Sequence, residues 1–197
     1  MITFKINQQW KAADVAAKLD KAVSAGLRGA AETLSNRTRM SLNRLTLGTP
    51  SAVGSPPNRQ TSTLYRGITW VQDATGTLVG VLKNVTYAAI QEFGGKITAK
   101  GRGMLPIPIH PLAKQRARMG RGPRSFPFLV LVKNRKGTVM LVKNVGGRNA
   151  RAEIFYILKK SVVIPARPYF FPQTRNPATL SEMQAAFAQE GGAVFSR

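Results

Sequence analysis

Apolar residues recur near the start of the chain at Val15, Leu19, Val23, Leu27, Ala30 and Leu34, and after a polar gap at Leu42 and Leu45. Steps of three and four put them on one stripe of a helix, and no proline interrupts residues 12–45. Asp14 stands near the start, and Arg37, Arg39 and Arg44 near the end, the order that the helix dipole favours. The spacing predicts one long amphipathic helix over 12–45, bent or closely crossed at Gly26 and Gly29. Ahead of it, Ile2, Phe4 and Ile6 alternate with Thr3, Lys5 and Asn7, the period of a short half-buried strand.

After the helix the pattern shortens. Residues 48–58 are rich in Gly, Pro and Ser and predict a loop. Residues 63–67 predict a helical turn, and 68–72 and 77–82 predict two strands around a hairpin turn begun by Asp73 and closed by Gly76. Residues 87–95 predict a short helix stopped by glycine at Gly94 and Gly95. Residues 98–127, with five prolines and four glycines, predict a long extended loop. A second hairpin is expected over 128–133 and 138–143, a turn at 146–149, and then either a further strand over 153–159 or a single strand that continues through 162–164. Asn176 is placed to cap a final helix with Pro177 at its first position, and Leu180, Met183 and Ala186 or Phe187 form its apolar side. The class is α+β: a long N-terminal helix on an antiparallel sheet of about five or six strands, a long basic loop and a short C-terminal helix.

Composition bounds what such a fold can do. With 197 residues and 43% hydrophobic content, one domain over 1–197 is expected. Thirty Lys and Arg against eight Asp and Glu leave a formal charge of +22. A chain so charged repels itself unless an anion or an acidic partner lies close. Cysteine is absent, so disulfides and thiolate metal sites are excluded. The first residues lack the basic start and apolar run of a signal peptide, and no apolar run is long enough for a membrane helix, so synthesis in the cytoplasm is expected.

Catalysis needs clustered titratable groups, and the eight carboxylates are scattered around a single histidine, His110. The reading is therefore not an enzyme, with no metal and no cofactor. His110, between Ile109 and Pro111, reads as an ordinary loop residue, and Glu92 as an ion-pair partner for an arginine. Gly101-Arg102-Gly103 and Gly120-Arg121-Gly122 do not sit between a strand and a helix as a phosphate loop would. Lys100, Arg102, Lys114, Arg116, Arg118, Arg121 and Arg124, with no acid among them, suit either a nucleic-acid backbone or an acidic protein. Trp10 and Trp70 read as core. In the segment from Pro165 to Pro172, Pro165 and Pro168 stiffen the chain around Arg167. Tyr169, Phe170 and Phe171 then face either an interface or the core of the same subunit, and the fixed guanidinium tilts the reading to an interface.

Taken in order, these segments resemble the virion morphogenesis or tail-completion proteins of tailed bacteriophages, the Mu-like and P2-like head-tail joining families. The likeness runs over residues 50–172. It rests on Ser55-Pro56-Pro57, Thr63-Leu64-Tyr65-Arg66-Gly67-Ile68, Tyr87-Ala88-Ala89-Ile90-Gln91-Glu92-Phe93-Gly94-Gly95, Leu105-Pro106-Ile107-Pro108, Arg124-Ser125-Phe126-Pro127, and the run from Leu158 through Pro165-Ala166-Arg167-Pro168-Tyr169-Phe170. The chain departs from the family at Gln91, where histidine is frequent, and at Phe170, where leucine is. The resemblance implies a structural virion protein of the neck, assembled in the host cytoplasm as a homo-oligomeric ring, commonly sixfold, around the DNA path. Its partners would be head-completion or connector proteins and tail terminator or tail tube proteins, with non-specific double-stranded DNA in the lumen and no membrane. Tyr87, Glu92, Phe93, Gly94, Gly95, Pro165, Arg167, Pro168, Tyr169 and Phe170 would then serve subunit or partner contacts, and the seven cations would face the DNA or a neighbouring ring. The alternative is a stand-alone basic nucleic-acid-binding protein, though no base-reading helix or aromatic stacking platform is evident.

Overall fold

A computed structural model describes residues 11–42, 51–58, 61–101, 103–144 and 152–195. The strand expected at 2–6, Trp10, Arg44, Leu45, Arg102 and the turn at 146–149 lie outside the described residues. In chain order the elements are α1 (Ala12–Ser41), α2 (Thr63–Gly67), β1 (Ile68–Asp73), β2 (Gly76–Val81), α3 (Ala88–Phe93), β3 (Gly95–Thr98), β4 (Leu105–Pro108) and α4 (Pro111–Arg118). They continue with β5 (Leu129–Lys133), β6 (Val139–Asn144), β7 (Ala152–Lys159), β8 (Ser161–Ile164), α5 (Phe171–Thr174) and α6 (Pro177–Gly192). The α+β class is as expected, and every strand pairing is antiparallel. The strands form three sheets, β1-β2, β3-β8 and β4-β7-β6-β5. The chain divides into two compact units, one running to Ala88 and resuming at Pro168, the other Ala89–Arg167 inserted within it.

In the discontinuous unit the long helix forms as its spacing predicts, but the buried stripe differs. Ala22, Gly26, Gly29, Leu34, Ser35 and Thr38 face inward, while Leu19 and Val23 stay exposed. The reason is α6, which packs on the smallest residues of α1. A Cβ on Gly26 would meet the Phe187 ring at 2.7 Å, and one on Gly29 would meet Glu190 Cγ at 2.8 Å and the Ala186 carbonyl at 3.0 Å. From the other side, a Cβ on Gly191 would stand 3.0 Å from the Ala22 carbonyl. Gly26 and Gly29 thus mark a close helix crossing. Arg28 pairs with Glu190 at 3.8 Å, and Arg37 pairs with Glu182 through two nitrogens. Asn176 caps α6, its Oδ1 accepting from the Ala178 amide at 2.9 Å; Leu180 remains exposed.

The β1-β2 hairpin packs beside α1, to which Gln72 is tied by donating to the Ser24 carbonyl at 2.9 Å. Its turn is held by Asp73, whose carboxylate accepts from the Thr75 hydroxyl at 2.6 Å, the Thr75 amide at 2.8 Å and the Gly76 amide at 3.2 Å. The Thr75 hydroxyl above all, then the amides, hold the Asp73 carboxyl below its ordinary range. A depressed carboxylate stabilises the fold above its unfolded value of about 3.9, and that contribution is lost as pH falls through the lower folded value. The core of this unit joins Leu42, Leu64, Ile68, Val85, Ala88 and Tyr169, flanked by Tyr65, Val81 and Phe170; Trp70 is half-buried.

In the inserted unit the long loop expected over 98–127 is a correction. It contains the end of β3, all of β4 and α4, and a single 3-10 turn at Pro123–Ser125. The prolines that signalled a loop sit where regular structure accepts them. Pro111 opens α4, where no amide is needed, behind His110, whose Nδ1 accepts from the Leu112 amide at 3.3 Å. Pro106 and Pro108 lie on β4, an edge strand, which tolerates a missing donor on its outer side. Opposite, Leu141 pairs with Tyr156 but Val142 pairs with Ile154, so Phe155 is the extra residue of a β-bulge. Its carbonyl accepts from the Ile109 amide at 2.9 Å, and Phe155 and Tyr156 are both buried with Ala113. Phe126 packs edge-on to both rings, at 5.0 Å and 6.2 Å between centroids.

Gly29→Leu tests the helix crossing. Overpacking costs about 1–3 kcal/mol against a helix-propensity gain below about 1 kcal/mol, so the urea midpoint should fall. A midpoint at or above that of the parent protein would mean that α1 and α6 are not held this close.

Candidate partner and nucleic-acid interface

The two segments with the most distinctive sequences, 87–95 and 165–168, come together. α3 ends at Gly94, which adopts φ +69° and returns its amide to the Ile90 carbonyl at 3.0 Å, a glycine stop of the left-handed kind. The absent side chain lets another stretch of backbone in. A Cβ there would stand 2.7 Å from the Ala166 nitrogen and 3.0 Å from the Ile164 carbonyl oxygen. The Gln91 carbonyl, left without a helical partner at the end of α3, accepts from the Arg167 amide at 2.7 Å. Gly95, at φ +147°, then pairs with Ile164 as the first step of β3-β8. Proline at 165 and 168 keeps this returning segment extended, as docking against a helix end requires.

The residues expected at subunit contacts separate on this frame. Tyr87 and Phe93 are exposed, Phe93 at 67% although it also has a contact within the chain. Pro165, Arg167, Pro168 and Phe170 are half-buried. Glu92 is buried and, like Arg167, engaged within the fold. Tyr169 is a correction. At 2% exposure it belongs to the core with Ile68 and Val85, and the Ser41 hydroxyl donates to its carbonyl at 3.3 Å. An aromatic this deep stabilises its own chain and offers nothing to a neighbour.

The charge is distributed unevenly. Between 89 and 167 seventeen Lys and Arg face two Glu, so +15 of the +22 belongs to the inserted unit. Lys100, Lys114, Arg118, Arg121 and Arg124 are exposed, and among the described residues none has a carboxylate at ion-pair distance. Lys114 and Arg118, four apart on α4, share one face of it. Arg116 is different. Its guanidinium lies 4.4 Å above the centre of the Phe126 ring and donates to the Ser125 carbonyl, so it stabilises the turn after α4 and is not free for phosphate.

Sequence reasoning undervalued His110. Its ring stacks on Phe155 at 4.2 Å with 9° between planes, its Nε2 is 3.5 Å from Glu153, and it caps α4. The signal was the His-Pro pair, which fits a helix start as well as a loop. Burial raises the Tyr156 phenol above its ordinary value, with the Arg116 charge opposing. Lys133, Arg135 and Lys136 add exposed cations on the β5-β6 hairpin.

Comparison with protein-family models, curated proteins and solved structures finds no match to this chain. Among the described residues no three His, Asp or Glu side chains gather as metal ligands would, and no helix is long and apolar enough to cross a membrane.

Gly94→Ala should cost at least about 2 kcal/mol, since left-handed strain of about 1–2 kcal/mol adds to overpacking against Ala166 of about 1–3 kcal/mol. Gly101, at φ +58° with open space around it, should show the conformational part alone when changed to Ala. Equal urea midpoints for the two variants would remove the close contact from the account.

Proposed function

We propose that this protein is a structural, non-catalytic component of a tailed-phage neck, of the tail-completion kind. In this reading it forms a homo-oligomeric ring, commonly sixfold in such necks, at the head-proximal end of the tail. The carrying observation is that the glycine-stopped helix and the Pro-Ala-Arg-Pro segment, about 75 residues apart in sequence, pack directly on each other at Gly94 and Ala166. Their pairing supports treating them as one functional element, which is how the family resemblance rests on them. Phe93 and Tyr87 would supply surface for neighbouring subunits or connector, terminator and tube proteins. The exposed cations of the inserted unit would line the DNA path and bind duplex without reading its sequence, because contacts to phosphates carry no base information.

Deleting the gene in the parent phage and viewing the lysate by electron microscopy tests this reading. Full heads and normal-length tails left unjoined, or tails lacking their head-proximal ring, are expected. Complete virions with a defect in replication or packaging would sink it. They would favour the second reading, a stand-alone nucleic-acid binder, for which the same unpaired cations are the supporting observation.

The cations are tested separately. For a Lys114→Gln, Arg118→Gln, Arg121→Gln, Arg124→Gln variant, the slope of log affinity for duplex DNA against log salt should shrink by about 3 to 4, near 0.9 for each lost phosphate contact. An unchanged slope would take these residues off the DNA.

A further inference from the structure

The four-stranded sheet of the inserted unit has two unlike edges. On β4, Pro106 and Pro108 share one side of the strand, and as neither has an amide hydrogen that outer edge cannot add another strand. At the opposite edge β5 has no proline and no charge before Lys133. Its pairing with β6 uses one side of its backbone, and among the described residues no strand pairs with the other. Val130 and Leu131 project to opposite faces and are 54% and 63% exposed. Just before them Phe128 holds φ +62°, a strained conformation for an aromatic residue, with 83% of its surface in solvent. A bare apolar edge is a liability that proteins ordinarily blunt with charge, proline or a covering segment. Here one edge is blunted and, among the described residues, no strand covers the other.

We infer that the outer edge of β5 binds an extended segment of a partner protein by strand addition, and that this segment is apolar in its middle and acidic at its flanks. Charge selects the occupant. Lys133, Arg135 and Lys136 stand exposed where β5 runs into its hairpin turn, in a unit of net +15. A second copy would bring two bodies of net +15 together, which like-charge repulsion opposes whichever way the strands run. An acidic segment gains the backbone hydrogen bonds of the open edge, apolar contact with Val130, Leu131 and Phe128, and attraction to the flanking cations. The inference does not depend on the virion reading.

The probe is a synthetic peptide of alternating Val and Thr with paired Glu at both ends, and a counterpart with Lys in place of Glu, titrated into the full-length protein by fluorescence anisotropy. The Glu peptide should bind and slow amide hydrogen exchange at 129–133, and the Lys peptide should not bind. Leu131→Lys adds attraction for the acidic peptide but removes apolar contact, so an affinity about tenfold weaker is expected from loss of the leucine surface that the peptide would cover. Val130→Lys, on the opposite face, should do the same, and circular dichroism of both variants should match the parent. Binding retained or tightened in both variants, or protection falling on 111–124 instead of β5, would overturn the inference. So would protection of 129–133 that rises with protein concentration in the absence of peptide, since a second copy would then be the occupant.

Discussion

The approach of the Ala166 backbone to Gly94 is the constraint from which the second half of the molecule follows. The inserted unit begins and ends on this contact, and only a residue without Cβ at φ +69° allows it. With the Gln91 carbonyl bonded to the Arg167 amide and Gly95 paired to Ile164, the two ends of the insertion are fixed to each other before its sheet begins. The entropic cost of joining chain ends grows only logarithmically with the length between them. A short, rigid closure can therefore carry a long insertion, provided that the closing residues lose little freedom. Two prolines in the returning segment meet that condition by being stiff in the unfolded chain as well.

The same unit concentrates most of the positive charge over a small core. Ala113, Phe155 and Tyr156, with Phe126, Leu129 and Leu141 around them, must hold a body of net +15 together. The β-bulge at Phe155 helps, because it brings two adjacent aromatics into one core where regular alternation would send one outward. Arg116 helps too, by spending its charge over the Phe126 ring. The remaining repulsion opposes compaction and is relieved by any polyanion that binds the folded form, which then stabilises it by mass action.

The readable parts of the sequence were those in which local chemistry decides the outcome. Asp73 and Gly76 turn the first hairpin, Asn176 and Pro177 start the last helix, and proline-free spacing makes α1, because each depends on neighbours in the chain. Two errors share a different origin. Leu19 and Val23 looked like the buried stripe, yet α6 chose Gly26 and Gly29, since the depth of a helix crossing is set by the smallest residues rather than the most apolar. Pro106, Pro108 and Pro111 looked like a loop, yet an edge strand and a helix start each accept proline without loss. The meeting of 87–95 with 165–168 was beyond any local pattern. Only Gly94, with its need for a close approach, hinted that a partner segment existed, and nothing in its vicinity named that segment.

Tyr169 separates the two kinds of contact that the proline segment could make. Within three residues the chain goes from Arg167, whose amide serves the helix end, to an aromatic at 2% exposure in the core of the discontinuous unit. Tyr169 leaves no surface for a neighbour, so contacts with other molecules would fall to groups that the fold leaves exposed. Among the described residues those are the exposed Tyr87 ring, the cations of α4 and the hairpin, and the outer edge of β5. They differ in what they can recognise. Cations on flexible side chains accept any polyanion and lose their hold as salt rises, whereas an open strand edge requires an extended backbone in register and is far less sensitive to salt. A protein that carries both on one unit can be drawn to a partner by charge and then held by main-chain pairing, the first fixing the rate of encounter and the second the identity of what stays bound.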